Sequence, residues 1–197
     1  MLREIQCDKF RSVVVRFDYG LNVILGDGNA TNSIGKSTLL MVIDFVLGGK
    51  TLITNNKDIV KELGHHDYLF AFTFEEECLY FRRGTFQPDD VYICDETYEI
   101  QRAVNVDEYT AMLKQAYGLN LPDISFRSLV GLYLRVWGKD NLLVDRPLHA
   151  FPAQAGIESV DTLIKTFNRY GEIRELGSAL QKLEADMSGL RTAQRHN

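Results

Sequence analysis

The chain has 197 residues, enough for one domain of ordinary size plus an appendage. Its 45% hydrophobic and 11% aromatic content can build a buried core, which excludes general disorder. With 22 basic against 27 acidic residues the net charge is −5, which argues against a free-standing nucleic-acid binder but leaves room for a local basic face. The opening MLREIQCDKF has no apolar run of signal-peptide length, and no stretch approaches about 20 consecutive apolar residues. A soluble protein with no membrane association is therefore expected. Cys7, Cys78 and Cys94 show neither zinc-knuckle nor CxxC spacing, so they read as small buried hydrophobes in a reducing, cytoplasmic compartment.

In chain order, residues 5–9 and 12–17 read as strands around a turn at Phe10-Arg11. After a turn at Asp18-Tyr19-Gly20, the apolar run 21–25 has strand length and composition. A Gly- and Asn-rich loop follows over 26–35. Lys36-Ser37-Thr38 then opens LLMVIDFVL, an apolar run that stops at Gly48-Gly49, as a buried helix with a glycine C-cap would. Over 67–96 the period switches to two in YLFAFTFEE, CLYFRRG and DVYICDE, which predicts an antiparallel meander. Residues 106–117 form an amphipathic helix pattern stopped by Gly118. Past the turn signal Leu121-Pro122-Asp123, residues 126–136 form a second, more apolar one, with Trp137 read as core. Residues 141–156, with Pro147 and Pro152, read as loop. In the tail, Ile173, Leu176, Leu180, Leu183, Met187 and Leu190 are spaced 3, 4, 3, 4, 3, which favours a coiled-coil seam over a helix packing on its own domain. The seam still runs where the sequence ends, so a further segment or a partner helix is expected.

The strongest chemical signal is strand, Gly-rich loop, Gly35-Lys36-Ser37-Thr38, apolar helix. Backbone N–H groups at such a turn and helix start point at phosphate oxygens, and the helix dipole favours the anion there. Gly35 lets the backbone approach, Lys36 reaches the β- and γ-phosphates, and the Ser37 hydroxyl holds Mg²⁺. The pattern departs from G-x-x-x-x-G-K-[ST], since Ala30 stands where the first glycine belongs. Gly26 is the glycine that directly follows the predicted strand, which lengthens the loop by four residues. The extra residues either bulge outward or fold over the site.

Together, KFRS (9–12), GLNVILG (20–26), NSIGKSTLL (32–40) and DFVLGG (44–49) resemble the N-terminal ATPase lobe of the SMC-like and RecN-like branch of ABC ATPases. Through VYICDE (91–96), the run 125–141 and RPLHAF (146–151), the chain is similar to bacterial SMC-like proteins with an uncharacterised C-terminal domain. Some of those are ATPase subunits of three-component anti-phage systems. The resemblance implies a P-loop α/β head lobe, a mixed sheet plus meander, over 1–157, and a helical exit into a coiled coil over 158–197. It implies Mg-ATP as cofactor, held by Asn32, Ser33, Ile34, Gly35, Lys36, Ser37 and Thr38. Arg11, with Ser12 beside it, would lie near the phosphates, and Ser37 would be the Mg²⁺ ligand. Signature and Walker B residues would come from a C-terminal lobe, of the same protein or a second subunit, in a head–head dimer acting on DNA in phage defence or repair. The segment SFRSLVGLYLRV holds no glutamine to serve as a Q-loop, and Gln154 stands in the wrong context, so that role is unassigned.

Two other readings stay open. Val91-Tyr92-Ile93-Cys94-Asp95-Glu96 has Walker B form, with Asp95 ordering Mg²⁺ and Glu96 activating water, which would make a self-sufficient small NTPase. Without a preceding signature motif, strand plus turn is the favoured account. Alternatively the chain is a non-catalytic module recruiting a partner through its heptads. His65-His66-Asp67 lacks a third metal ligand and reads as a solvated turn. Arg82-Arg83 beside Tyr80 and Phe81 reads either as a nucleic-acid contact or as outward arginines between inward aromatics.

Overall fold

The structure, a computed structural model, describes residues 1–25, 33–119, 121, 124–136, 139–167 and 170–195. Six strands form one sheet in the order β2-β1-β3-β4-β5-β6: β1 (Leu2–Gln6), β2 (Val14–Arg16), β3 (Asp67–Phe74), β4 (Glu77–Gly84), β5 (Asp90–Cys94) and β6 (Ile100–Asn105). Among the described residues every pairing is antiparallel. The sheet expected to be mixed is thus antiparallel among the described residues, and the segment 21–25, expected as a strand, does not join it. That segment is not a strand. Its side chains lie open, Leu21 90% and Leu25 83% exposed, and no strand stands beside it among the described residues. A strand's alternate N–H and C=O groups need a neighbour, and apolar composition alone does not supply one.

The helices are α1 (Ser33–Val46), α2 (Thr51–Thr54), α3 (Lys57–Leu63), α4 (Val106–Ala116), α5 (Phe126–Tyr133), α6 (Gly156–Thr166) and α7 (Tyr170–Arg195). The meander stands as expected, in register from Asp67↔Gly84 through Phe74↔Glu77. It is extended by β6, whose IQRAVN is exposed along most of its length and so carried no apolar alternation to find. Helix α4 begins as an Asx cap predicts, Asn105 Oδ1 accepting from Glu108 N–H at 2.8 Å. Helix α5 is shorter than expected, since Leu134 turns extended (φ −94°, ψ 119°). The proline-bearing stretch 141–155 has no helix or strand, and Gln154 serves there as a brace, its Oε1 accepting from Ala150 N–H at 2.7 Å. The expected loop at 26–32, Trp137 and Pro122-Asp123 lie outside the described residues.

One face of the sheet carries the core. Ile5, Phe70, Phe72, Phe81 and Val91 pack against Val42, Phe45 and Val46 of α1 and Tyr109 and Leu113 of α4. Only the C-terminal half of α1 is buried; Gly35, Lys36 and Leu40 are exposed, so the helix that reads as apolar all round has one end uncovered. At its other end, Gly49 N–H bonds Asp44 O (2.7 Å) and Gly48 N–H bonds Phe45 O (3.0 Å), a Schellman stop with Gly48 at φ +87°. A Cβ on Gly48 would fall 2.4 Å from Thr110 Cγ2 of α4. Gly48→Ala is therefore expected to destabilise the fold by about 2 kcal/mol through both left-handed strain and overlap. A thermal melt should show a fall of roughly 4–8 °C, and an unchanged midpoint would refute the account.

Candidate functional site

The C-terminal end of α1 is among the most heavily bonded places in the molecule. The last four carbonyls of a helix lack partners within it, and they are its negative pole. Helix α1 has no basic residue in its last turn, so the neutralising groups come from elsewhere. Arg83 of β4, fully buried, donates from Nη1 to Phe45 O and to Gly49 O (3.0 Å). Its Nε and Nη2 both donate to Pro88 O, at 2.8 and 2.5 Å. The guanidinium also lies 4.0 Å over the Phe45 ring. Tyr109 Oη donates to Val46 O at 2.6 Å, and Arg127 Nη1 of α5 to Leu47 O at 2.9 Å. Burial pushes Arg83 down to about 10, so it stays a cation at neutral pH. Its charge faces carbonyls at the helix's negative pole, the arrangement that suits a buried guanidinium.

Beside these sits a three-group ionic cluster. The fully buried Asp44 of α1 accepts at Oδ1 from Arg127 Nη2 (2.5 Å) and Lys139 Nζ (2.7 Å). Burial would raise its pKa, but the two cations outweigh that and hold the carboxyl below its ordinary range. A Cβ on Gly49 would fall 2.1 Å from Asp44 Oδ2, so the second glycine of the stop makes room for the carboxylate. A cleft of about 660 Å³ opens here, lined by Lys50, Asp89, Asp107, Arg127 and Lys139. Its cations are matched, Lys50 by Asp89 at 2.6 Å and the other two by Asp44. This end of α1 is a joint.

The other end carries the phosphate-loop motif. Helix α1 starts at Ser33, three residues earlier than the expected opening at Lys36, so Gly35, Lys36, Ser37 and Thr38 all lie in its first two turns. Asn32 lies outside the described residues; Ser33 and Ile34 are the first two residues of α1. Lys36 is exposed, while Ser37 and Thr38 are half-buried. A Cβ on Gly35 would meet nothing, and Gly35 has no positive φ. The chain's own packing thus gives no reason for a glycine, which in a helix costs about 1 kcal/mol against alanine. A ligand that must approach the backbone there supplies one.

The KFRS turn is tied to the same helix. Phe10 packs on Tyr68 (ring centroids 5.9 Å) and Tyr68 on Phe45 of α1 (5.7 Å), so Arg11 and Ser12 rest on a loop anchored to the helix by a chain of rings. Both are exposed, and Ser12 Oγ donates to Val14 O at 3.3 Å. At the β5–β6 turn, Asp95 Oδ1 accepts from Thr97 N–H, Thr97 Oγ1 and Glu99 N–H, and Oδ2 from Gln101 Nε2. That is the strand-plus-turn arrangement the sequence favours, with Glu96 exposed beside it. His66 is not in a solvated turn. It is buried, its Nδ1 2.9 Å from Gly64 O and its Nε2 2.9 Å from Tyr68 Oη, while His65 is exposed. No cluster of metal-holding residues occurs among the described residues. Arg83 is not outward either: counting by twos from Phe81 places it on the inner face, where it caps α1.

The joint at Asp44 has a measurable signature. Asp44→Asn leaves Arg127 and Lys139 without their anion and should cost about 3–5 kcal/mol in urea denaturation at pH 7. Because the folded pKa is depressed, this stabilisation is full above about pH 4, the unfolded value, and is lost as pH falls through the folded one. The substituted chain should therefore lose less stability than wild type on acidification; parallel acid limbs would refute the assignment.

Comparison with known proteins gives a family match. The AAA domain family covers residues 6–124, a span that takes in β2 through α4 and the whole of α1. No curated protein and no solved structure matches the chain. No helix among the described residues is long and apolar enough to cross a membrane. AAA domains are P-loop ATPase domains, and the match takes in the GKST segment. The match spans more than half the chain, and the protein belongs to the AAA domain family.

Proposed function

We propose that this chain is the phosphate-loop lobe of an SMC-like, RecN-like ATPase head, which holds Mg-ATP at the start of α1 and completes its catalytic site only with a second lobe. The observation that carries this reading is where unmatched surface lies. Leu21, Val23, Ile24 and Leu25 stand exposed at one end of 26–32, and Gly35, Lys36 and Leu40 stand exposed at the other. A strand-like apolar run with no strand beside it among the described residues, near a helix end with exposed residues, fits a sheet whose remaining strands belong to another lobe.

The residues present suit the ligand. The N–H groups of the first turn of α1 are directed along its axis toward the site, and Lys36 supplies a mobile cation for the β- and γ-phosphates. Ser37 would hold Mg²⁺, and Arg11 would add a second cation from the KFRS turn. Bound Mg-ATP supplies the phosphoryl bond whose cleavage resets head engagement. Within this chain the work is binding and orientation. Asp95 is committed to its turn by four hydrogen bonds, which argues against a self-sufficient enzyme using Asp95 and Glu96. A water-positioning carboxylate and a signature motif would come from the partner lobe. Action on DNA, in phage defence or repair, follows from the resemblance alone.

Calorimetry with Mg-ATP tests the reading. Wild type should bind, and Lys36→Ala should bind about tenfold or more weakly, since a hydrogen bond to a charged group contributes about 1.5–3 kcal/mol. Phosphate release by the isolated chain should stay near background. Brisk turnover would place the catalytic carboxylate in this chain, and no binding by wild type would sink the proposal.

A further inference from the structure

Tyr68 of β3 is held on three sides, and the KFRS turn leans on it. It is 2% exposed and stands on the inner face beside Arg83, its cross-strand neighbour in β4. Both side chains clasp Phe45 of α1. The Tyr68 ring meets Phe45 at 5.7 Å and 64°, and the Arg83 guanidinium lies 4.0 Å over the same ring. Edge-on ring pairs and cation–π contacts are directional, so they set the attitude of α1 against β3 and β4.

Another side of Tyr68 is polar. Its hydroxyl lies 2.9 Å from His66 Nε2, and His66 Nδ1 lies 2.9 Å from Gly64 O. A carbonyl only accepts, so Nδ1 carries the ring proton and Nε2 accepts from Tyr68 Oη. Burial pushes the Tyr68 phenol up, which keeps the hydroxyl protonated as the donor. Displacing the Tyr68 ring would therefore leave a buried imidazole nitrogen unpaired.

Phe10 packs on this fixed ring at 5.9 Å and 45°. Within the turn, Cys7 N–H donates to Val13 O at 2.9 Å and Phe10 N–H to Cys7 O at 3.2 Å. Those bonds fix the shape of the turn, and the Phe10 ring fixes its place against the helix. Phe10 is half-buried, and Arg11 beside it is exposed.

We infer that Phe10 and Tyr68 are positioning residues of the nucleotide site: the Phe10 ring, docked on the tyrosine that His66 locks, holds Arg11 at a set place relative to α1 and so to Lys36. The inference rests on the proposed function, which gives Arg11 a phosphate to meet. Neither ring touches the ligand, and their effect on binding runs through Arg11. A cation placed beforehand avoids part of the ordering that binding otherwise costs.

A double-mutant cycle on the full 197-residue chain, read by Mg-ATP calorimetry, tests this. Arg11→Ala should weaken binding about tenfold, as loss of a hydrogen bond to a charged group does. Phe10→Ala should reproduce most of that loss, and Phe10→Tyr, which keeps the ring, should bind as wild type does. In the Arg11→Ala background Phe10→Ala should weaken binding no further, while its fall in melting midpoint should be the same in both backgrounds. A residue serving stability alone would lower the midpoint and leave affinity unmoved. Phe10→Leu keeps apolar volume without the ring, and it should show the same non-additive pattern at smaller size, so the cycle stays readable should the alanine variant unfold. Wild-type affinity in the Phe10 variants, losses that add, or an Arg11→Ala chain that binds as wild type does would each overturn this inference and leave the ATP reading standing. No binding by wild type removes both.

Discussion

The C-terminal pole of α1 is where the fold is held. Five acceptors within six residues, the carbonyls of Asp44, Phe45, Val46, Leu47 and Gly49, are met by Arg83, Tyr109, Arg127 and the N–H groups of Gly48 and Gly49. Those donors come from β4, α4 and α5, so the end of one helix ties three other elements together. Leaving such groups unpaired in the interior would cost about 1–3 kcal/mol each, and this concentration of caps makes α1 the piece around which the sheet and helices must agree. The two glycines are required by the same geometry, one for the left-handed turn and one for the Asp44 carboxylate.

How much of this was legible in the sequence follows from range. The Schellman stop is a local matter, and Gly48-Gly49 after an apolar run announces it. The same holds for the GKST segment, written within a dozen residues, and for the meander, written as three successive strand patterns over 67–96. The partners of Asp44 are 83 and 95 residues away, and the carbonyl that Arg83 caps on Phe45 is 38 away, so spacing says nothing of them. One signal was available. Period two places Arg83 on the inner face with Phe81, and a guanidinium on the inner face of a strand implies a buried acceptor set. Counting it as outward missed the cap.

The segment 21–25 fails in the opposite way. Its composition is that of a strand and its environment is not, since hydrogen-bonded neighbours are a property of the sheet and not of the segment. Helix α7 is the parallel case: the heptad spacing is plain in the sequence, and the structure leaves its stripe open. Both are places where local preference finds no packing partner among the described residues. Such disagreements between levels gather at functional surfaces, where a second body completes the structure.

The arrangement of α1 also separates stability from chemistry. Its buried half, Met41 to Val46, holds the core contacts and the caps, while Gly35 to Leu40 are exposed or half-buried and Gly35 spends helix propensity with no packing return. A helix built this way can frame its first turn around a ligand without loosening the fold, because opening at that end disrupts few buried contacts. Its negative pole is neutralised by Arg83 and Arg127, and Lys36 stands exposed toward the other end. The positive pole of α1 lies at its Ser33 end, and the Asp44 joint lies about three turns from it, bonded to Arg127 of α5.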